Sequence, residues 1–371
     1  MQSQHLAPYA TDWQRSKGQL HERNKDEFRS PYQRDRDRIL HSGAFRKLAH
    51  KTQVFVFQTG DYYRSRLTHT IEVAQITRTI ARALRLDEDL AEAIALGHDL
   101  GHPPYGHAGE DALSRARQRH GLNAFNHNLQ TVRVLELLEE RYENFDGLDL
   151  SWEALDGTIK HNGPIYEMHD SFLEDMCIAR AIDPTKYACL EGQVAAIADD
   201  IAYTNHDLDD GLRSTLFDFG DLPDLQMLRH KTLPAKRRRF QLVRQTISAC
   251  VHDVVHHSRT LLEEAGVRSV DDVMLYERPL IRFSGKFWEQ LRELRQFLYI
   301  NLYRHPDILA PRAKCEDMLE TLFDIFMSHP EHMGGRWLAK MDLGADLGTT
   351  VTDYIGGMTD RYAQQAFEKL S

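Results

Sequence analysis

Residues His98 to Glu110 read HDLGHPPYGHAGE, and the fold class turns on how this stretch sits between its neighbours. Upstream, Asp87 can cap a helix over Leu90–Leu100. His98 and Asp99 fall at the end of that apolar run, where an ionised carboxylate is costly unless a metal or a partner compensates it. Gly101-His102-Pro103-Pro104-Tyr105-Gly106 cannot continue a regular helix, since two prolines and two glycines break the period. A new helix can start near His107, which places His107 and Glu110 on one face as an i, i+3 pair.

Helical periodicity extends in both directions from this point. Thr68–Leu86 is amphipathic, with Val73, Ile76, Ile80 and Leu84 recurring at three- and four-residue steps. RDRDRILHSGAFRKL, from Arg34, reads as one helix. Asn128–Tyr142, Leu190–Leu212, Arg239–Glu264, Leu291–Tyr303, Ala313–Met327 and Thr349–Leu370 also read as helices. Gly211–Pro234 reads as a loop-rich connection, and Met274–Phe283 as a short strand or extended segment. Residues 1–34 have little periodicity and read as an extended arm. Strand signals are sparse and no glycine-rich phosphate loop follows one, which removes dinucleotide-binding and P-loop folds. The expected class is all-α, with an arm at 1–34, a core at 35–212 and a mostly helical region at 213–371 that completes the pocket and an oligomer interface.

Composition narrows the function. The chain has 371 residues, 42% of them hydrophobic, and a net charge of −10. Its pI is near 6.0 and its mean hydropathy −0.52. This balance argues against a general nucleic-acid coat, though Lys236-Arg237-Arg238-Arg239 forms a local basic patch that could be a solvated helix start or an anion or DNA contact. No apolar run approaches the ~20 residues of a membrane span, and the start lacks the basic-then-apolar pattern of a secretory signal, which points to the cytoplasm. Cys177, Cys189, Cys250 and Cys315 are widely spaced, as buried free thiols would be.

The chemistry lies in the acids and histidines set in apolar helices. Asp199 and Asp200 interrupt Ala195-Ala196-Ile197-Ala198 and Ile201-Ala202-Tyr203, and are poor core residues without a counter-charge. With His98, Asp99 and His69 of the preceding helix they make a donor set of imidazoles and carboxylates suited to a divalent ion. Helical bundles build metal sites from separate helices in this way. Asp199, Tyr203 and Asp207 are spaced i, i+4, i+8 and line one helical face over about 12 Å, the span from a phosphate to the far edge of a sugar. Glu110 orienting His107 is a usual support for acid–base work. His102 and His127 are further candidates for phosphate contacts.

An ordered set of motifs then gives a specific resemblance: RDRDRILHSGAFRKLAHKTQVF (Arg34–Phe55), RLTHT (Arg66–Thr70), HDLGHPPYGHAGE, FNHNLQT (Phe125–Thr131), KHNGP (Lys160–Pro164), ADDIAYTNHDLDD (Ala198–Asp210) and DYIGGMTDRYA (Asp353–Ala363). In this order they resemble the His–Asp (HD) superfamily of dGTPase-like deoxynucleoside triphosphate triphosphohydrolases. The resemblance implies an HD-domain helical bundle with a helical C-terminal extension. It implies His69, His98, Asp99 and Asp199 as metal ligands, Asp199 being preferred to Asp200 because Tyr203 and Asp207 then follow at the family's spacing. It implies His107 and Glu110 as the catalytic pair, His102 and His127 facing the phosphates, Arg66 and Lys160 on the triphosphate, and Gln53 and Asp207 on the sugar 3′-hydroxyl with Tyr203 nearby. Mn²⁺ is the expected ion, with Mg²⁺ or Fe²⁺ as alternatives, and a homo-oligomer from dimer to hexamer is expected. Asn126, where many relatives are acidic, and Tyr105, where phenylalanine is frequent, are small departures. The alternatives are another HD nucleotide phosphohydrolase, an idle nucleotide sensor, and a DNA-binding module acting through Lys236–Arg239. The preferred dNTP, and whether a second nucleotide activates, stay open at this stage.

Overall fold

The computed structural model describes residues 6–21, 26–53, 64–228 and 237–371. Among them there is no β-strand, only isolated bridges at Thr52–Ser65 and Glu140–Gly147. The fold is all-α.

Capping decides where the first helices stop. α1 (Pro31–His41) opens on a Ser30/Gln33 capping box with Pro31 in its first turn. The expected single helix from Arg34 breaks at Ser42, because the Ser42 side chain caps α2 (Gly43–Lys47) by accepting from Phe45 N. α3 (Arg66–Leu84) is capped by Ser65 and ends at Arg85 in the left-handed conformation. α4 (Glu88–Gly97) is capped by Asp87, which accepts from Leu90 N, as the sequence suggests. α4 is buried along most of its surface, with Asp89 and Glu92 on its more open side paired to Arg36, and sits among α1, α3 and the helices α7 (Trp152–Ile159) and α9 (Leu190–Arg213). Leu90, Ala91, Ala93, Ile94 and Ala95 are fully buried there.

After the HD turn come α5 (His107–Arg119) and α6 (His127–Arg133). The expected helix to Tyr142 instead passes through a π-helical turn at Val134–Leu138 and stops. α8 (Ser171–Arg180) lies between α7 and α9 in the chain, and α10 (Arg238–Ala265) packs on α3 and α9. The short α11 (Val270–Met274) is followed by turns, not a strand. The N–H groups of Leu280 and Ile281 both donate to Gln193 Oε1, at 2.8 and 3.2 Å, and Arg282 N donates to Ser258 Oγ. Side chains thus satisfy that backbone, so of the two readings of Met274–Phe283 the extended segment holds for its second half and the strand does not.

α12 (Gly285–Leu298) continues through a π-helical turn, Tyr299–Tyr303. α13 (Pro306–Ser328), α14 (Gly335–Asp342), α15 (Leu347–Gly356) and α16 (Asp360–Leu370) complete the chain. The expected helix Thr349–Leu370 is two helices, since Thr359 caps α16. A second core joins α5 to α13, α15 and α16 through Leu113, Leu319, Phe323, Phe326, Val351 and Ile355. Each phenylalanine buried there contributes about 1.5–3 kcal/mol.

Two acids of the C-terminal motif pin this layer to α6 and to the turn between α4 and α5 (residues 98–106, the HD turn). Asp353 accepts from Gln130 Nε2 at 2.9 Å and from Arg133 Nε at 2.8 Å. Asp360 accepts from Thr52 N and Tyr105 N, and the Tyr105 hydroxyl donates to Asp360 O. The N-terminal arm is a strap anchored along the core. Ala7 N donates to Arg85 O, Thr11 N to Glu191, Lys17 N to Glu153, and Leu20 and His21 N to Asp149. No helix among the described residues is long and apolar enough to cross a membrane, and all four cysteines are free and buried.

Candidate functional site

α3, α4 and α9 each deliver one donor to a common point. His69 on α3 has Nε2 2.9 Å from Asp199 Oδ1 on α9. His98, at the C-cap of α4, has Nε2 3.6 Å from that same oxygen. All three donors lie within 4.8 Å of one another. The Nδ1–H of His98 donates to Ala95 O at 2.7 Å, which leaves the Nε2 lone pair for a ligand. Among the described residues no hydrogen-bond partner meets His98 Nε2, although it is buried. Burial alone would lower the His98 pKa, but the Asp99 and Asp199 carboxylates outweigh it and hold it up to about 9. The surroundings of Nε2 therefore favour positive charge, and imidazole and carboxylate donors fit a divalent ion.

Asp99 stands slightly apart. Its Oδ1 is 3.3 Å from His98 Nε2 and 3.0 Å from His102 Nδ1, while its Oδ2 accepts from Arg66 Nη1 at 2.8 Å. Burial opposes its ionisation, yet His98, His102 and Arg66 keep its carboxyl well below the usual range. Asp200, the neighbour passed over in favour of Asp199, turns to Arg295 Nη2 at 2.9 Å. Arg66 is buried with no hydrogen-bond partner for Nε or Nη2 among the described residues. Its approach depends on Gly106 at φ 58°, where a Cβ would stand 2.7 Å from Arg66 Nη2 and 3.3 Å from Gln53 O. Gln53 is buried beside this turn with Oε1 unpartnered among the described residues.

The second cluster lies on the other side of the HD turn. Glu110 holds two histidines, with Oε2 3.2 Å from His107 Nδ1 and Oε1 2.8 Å from His127 Nδ1. Burial raises the Glu110 pKa, but these imidazoles more than reverse it, so the group stays anionic. The rings of His102 and His127 stack at 4.0 Å, and His107 meets Tyr203 edge-on at 6.4 Å. Asn126 caps α6 by accepting from Asn128 N and Leu129 N.

Along α9 beyond Asp199, the Tyr303 hydroxyl hydrogen-bonds both Tyr203 and Asp207. Burial raises the Asp207 pKa to about 8 against the hydrogen bond from Tyr303. On the opposite side of Asp199 opens a cavity of about 400 Å³ whose lining includes Lys160, His161, Tyr187, Gln193 and Asp199. Lys160 Nζ is buried 2.5 Å from Asp156 Oδ1, so its charge is already partnered. A larger cavity of about 700 Å³ between α10 and α12 contains none of these residues, and size does not locate the chemistry.

Four residues near the site were not singled out from sequence. His161 Nε2 lies 3.6 Å from Asp199 Oδ2 and its ring 4.9 Å from that of His98. It follows Lys160 in KHNGP, so the motif carried it unread. His206 Nδ1 lies 3.0 Å from His69 Nδ1 and its other nitrogen meets Glu72. Glu72 is i+3 from His69, and His206 is i+7 from Asp199, so helical spacing was a usable signal. Tyr303 had none, since it arrives from the distant end of α12. In the basic patch, Lys236 lies outside the described residues. Arg239 pairs with Asp209 at 3.0 Å and Arg238 stacks on Phe219.

Comparison with known proteins accords with this geometry. Residues 66–204 match the HD domain and residues 281–369 match the phosphohydrolase-associated domain. A deoxyguanosinetriphosphate triphosphohydrolase-like protein of Cereibacter sphaeroides is 45% identical, with 98% of this chain and 99% of that protein covered. The chain belongs to the deoxyguanosinetriphosphate triphosphohydrolase-like family. Proteins of the same description from Bartonella quintana and Paracoccus denitrificans are 44% and 43% identical, again over 98% of this chain and over 95% and 99% of their own. A hypothetical protein from Aquifex aeolicus matches over 81% of this chain and 77% of its own at 18% identity and a TM-score of 0.30. As a family member with an HD domain, the chain is a metal-dependent phosphohydrolase. His69, His98 and Asp199 are the residues that could hold its ion.

Proposed function

We propose that in this phosphohydrolase water attacks the α-phosphorus of deoxynucleoside triphosphates and the bond to the 5′-oxygen breaks, releasing a deoxynucleoside and intact triphosphate. One observation carries the reading. The His69–His98–Asp199 cluster, the His107–Glu110 pair and the Tyr203–Tyr303–Asp207 network adjoin along α9 in the order that phosphate, scissile bond and sugar would need. The relatives' names point the same way.

A divalent ion bound by His69, His98, Asp199 and the adjoining Asp99 would supply Lewis-acid polarisation of a phosphoryl oxygen. Mn²⁺ is our choice, with Mg²⁺ and Fe²⁺ as alternatives. Arg66, anchored on Asp99 through Nη1, keeps Nε and Nη2 for phosphate oxygens. His102 and His127 flank them, and Lys160 lines the adjoining cavity. His107, oriented by Glu110, gives its proton to the leaving 5′-oxygen. Asp207, steadied by Tyr303, and Gln53 hold the 3′-hydroxyl, with Tyr203 beside the ring.

The chain is read as a homo-oligomer, from dimer to hexamer, and light scattering that finds only monomer under all nucleotide conditions contradicts this. A nucleic-acid contact through Lys236–Arg239 is the weaker reading, since Arg239 is engaged within the chain. The deciding experiment incubates the purified protein with each dNTP and Mn²⁺ and identifies the products. Intact triphosphate with free deoxynucleoside supports the reading. Release of orthophosphate or diphosphate instead refutes it.

A further inference from the structure

An imidazole that ligates a cation through one nitrogen must carry its proton on the other. His69 turns Nε2 toward Asp199 Oδ1 and the His98 donor, so as a ligand it must hold its proton on Nδ1. That atom faces another ring nitrogen, His206 Nδ1, at 3.0 Å. Two N–H groups cannot point at each other across this distance; one nitrogen donates and the other accepts. His206 Nδ1 therefore accepts and its own proton sits on Nε2. There it meets the carboxylate of Glu72, a group that when ionised can only accept.

The pattern closes with every role assigned. Glu72 is itself held by Arg64 Nε at 3.3 Å, and Arg64 is fixed by Asp209 at 3.0 Å and Asp210 at 2.8 Å. His206 is buried and both its nitrogens are engaged.

We propose that Glu72 and His206 are positioning residues that form a directional relay, Glu72 accepting from His206 and His206 from His69, which locks His69 in the tautomer whose Nε2 lone pair faces the ion. The relay rests on the reading of His69 as a ligand. Without an acceptor at position 72, His206 can carry its proton on Nδ1. His69 must then accept at Nδ1 and place its own proton on Nε2, where it blocks ligation. Outer partners of metal-bound histidines typically change metal affinity about 10- to 100-fold when removed.

The test titrates metal-stripped full-length protein with Mn²⁺ and reads free Mn²⁺ by its paramagnetic resonance signal, with thermal melts of the metal-free proteins as a folding control. His206→Leu should bind Mn²⁺ about 10- to 100-fold more weakly than wild type. His206→Asn, whose Oδ1 can accept where Nδ1 did, should recover affinity to within roughly threefold. Glu72→Met, at a half-exposed position that tolerates the change, should lose affinity by an intermediate factor, and decides the matter if His206→Leu does not fold. Wild-type affinity in both His206→Leu and Glu72→Met overturns the relay, and so does His206→Asn binding as weakly as His206→Leu. His69→Ala separates the two levels of inference. If it binds Mn²⁺ like wild type, the ligand reading falls and the relay with it; if it loses Mn²⁺ while the relay variants do not, the relay alone is wrong.

Discussion

Replacing Gly101 by alanine should damage both stability and catalysis, through backbone contact alone. A Cβ at Gly101 would stand 2.1 Å from Thr131 N, 2.3 Å from His127 O and 2.6 Å from Gln130 C. None of these atoms belongs to a side chain that could rotate away. In a close-packed interior the first turn of α6 would have to retreat by roughly 1 Å. Two hydrogen bonds lie in that path, Gly101 N to Thr131 Oγ1 at 2.9 Å and Thr131 Oγ1 to His98 O at 3.0 Å. Overpacking costs about 1–3 kcal/mol and each strained hydrogen bond about 1 kcal/mol, so a loss of about 3–5 kcal/mol is expected out of a typical 5–15. Because α6 begins at His127, whose ring and N–H both meet Glu110, kcat/KM should fall about 100-fold as the pair is displaced. Urea unfolding gives the stability change from the midpoint at constant slope, and dGTP turnover gives the second number. Gly285→Ala is the control. It has nothing within 4 Å of its would-be Cβ at the start of α12, and should be neutral or stabilise by about 0.4–1 kcal/mol. If Gly101→Ala unfolds within about 0.5 kcal/mol of wild type, the close approach of α6 to the HD turn is not as described.

Three further outcomes are expected. His98→Ala and Asp199→Asn should lose bound metal and reduce kcat/KM by about 1,000-fold, the scale of several kcal/mol of Lewis-acid stabilisation; Asp200→Asn, which loses only a partner of Arg295, should keep its metal, and the reverse pattern would make Asp200 the ligand. The corresponding NTPs should be turned over about 5- to 150-fold less well than dNTPs, the cost of an unpaired buried hydroxyl, with discrimination reduced in Gln53→Ala and Tyr303→Phe; equal kcat/KM for GTP and dGTP in the wild type would refute the sugar pocket. Burial raises Asp207 from 3.8 to about 8, so between those values the folded chain holds a proton that the unfolded chain releases, and this residue's contribution to stability falls as pH rises. Unfolding at pH 5 and pH 8 should therefore show a smaller loss for Asp207→Asn than for wild type, and parallel profiles would contradict the shift.

Period, caps and breakers are local properties, and they were legible. The apolar steps of α3, the Asp87 cap of α4 and the restart at His107 stand where the residues put them, while α4 ends at Gly97, ahead of Leu100 and of the breakers at Gly101–Gly106. The ordered motifs likewise carried the family. Boundaries were less legible wherever a side chain competed with helix continuation. Ser42 and Thr359 cap new helices inside what reads as one period, and Gln193 supplies the acceptor to a segment that reads as a short strand or extended chain.

Only the tertiary structure decided which polar groups meet. That Asp199 faces His69 while its neighbour Asp200 faces Arg295 depends on which helices flank α9. That Lys160 is already paired depends on Asp156, one turn earlier on α7 and sealed from solvent. Tyr303 reaches Asp207 because the chain folds back through α12. The His206–His69 contact at 3.0 Å joins a histidine singled out from the sequence to one that was not. Side-chain periodicity tells which face of a helix is buried, since that follows from 3.6 residues per turn. It does not tell what lies across from that face, because partners remote in the chain are set by packing, and hydrogen-bond direction and charge compensation exist only once both partners are in place.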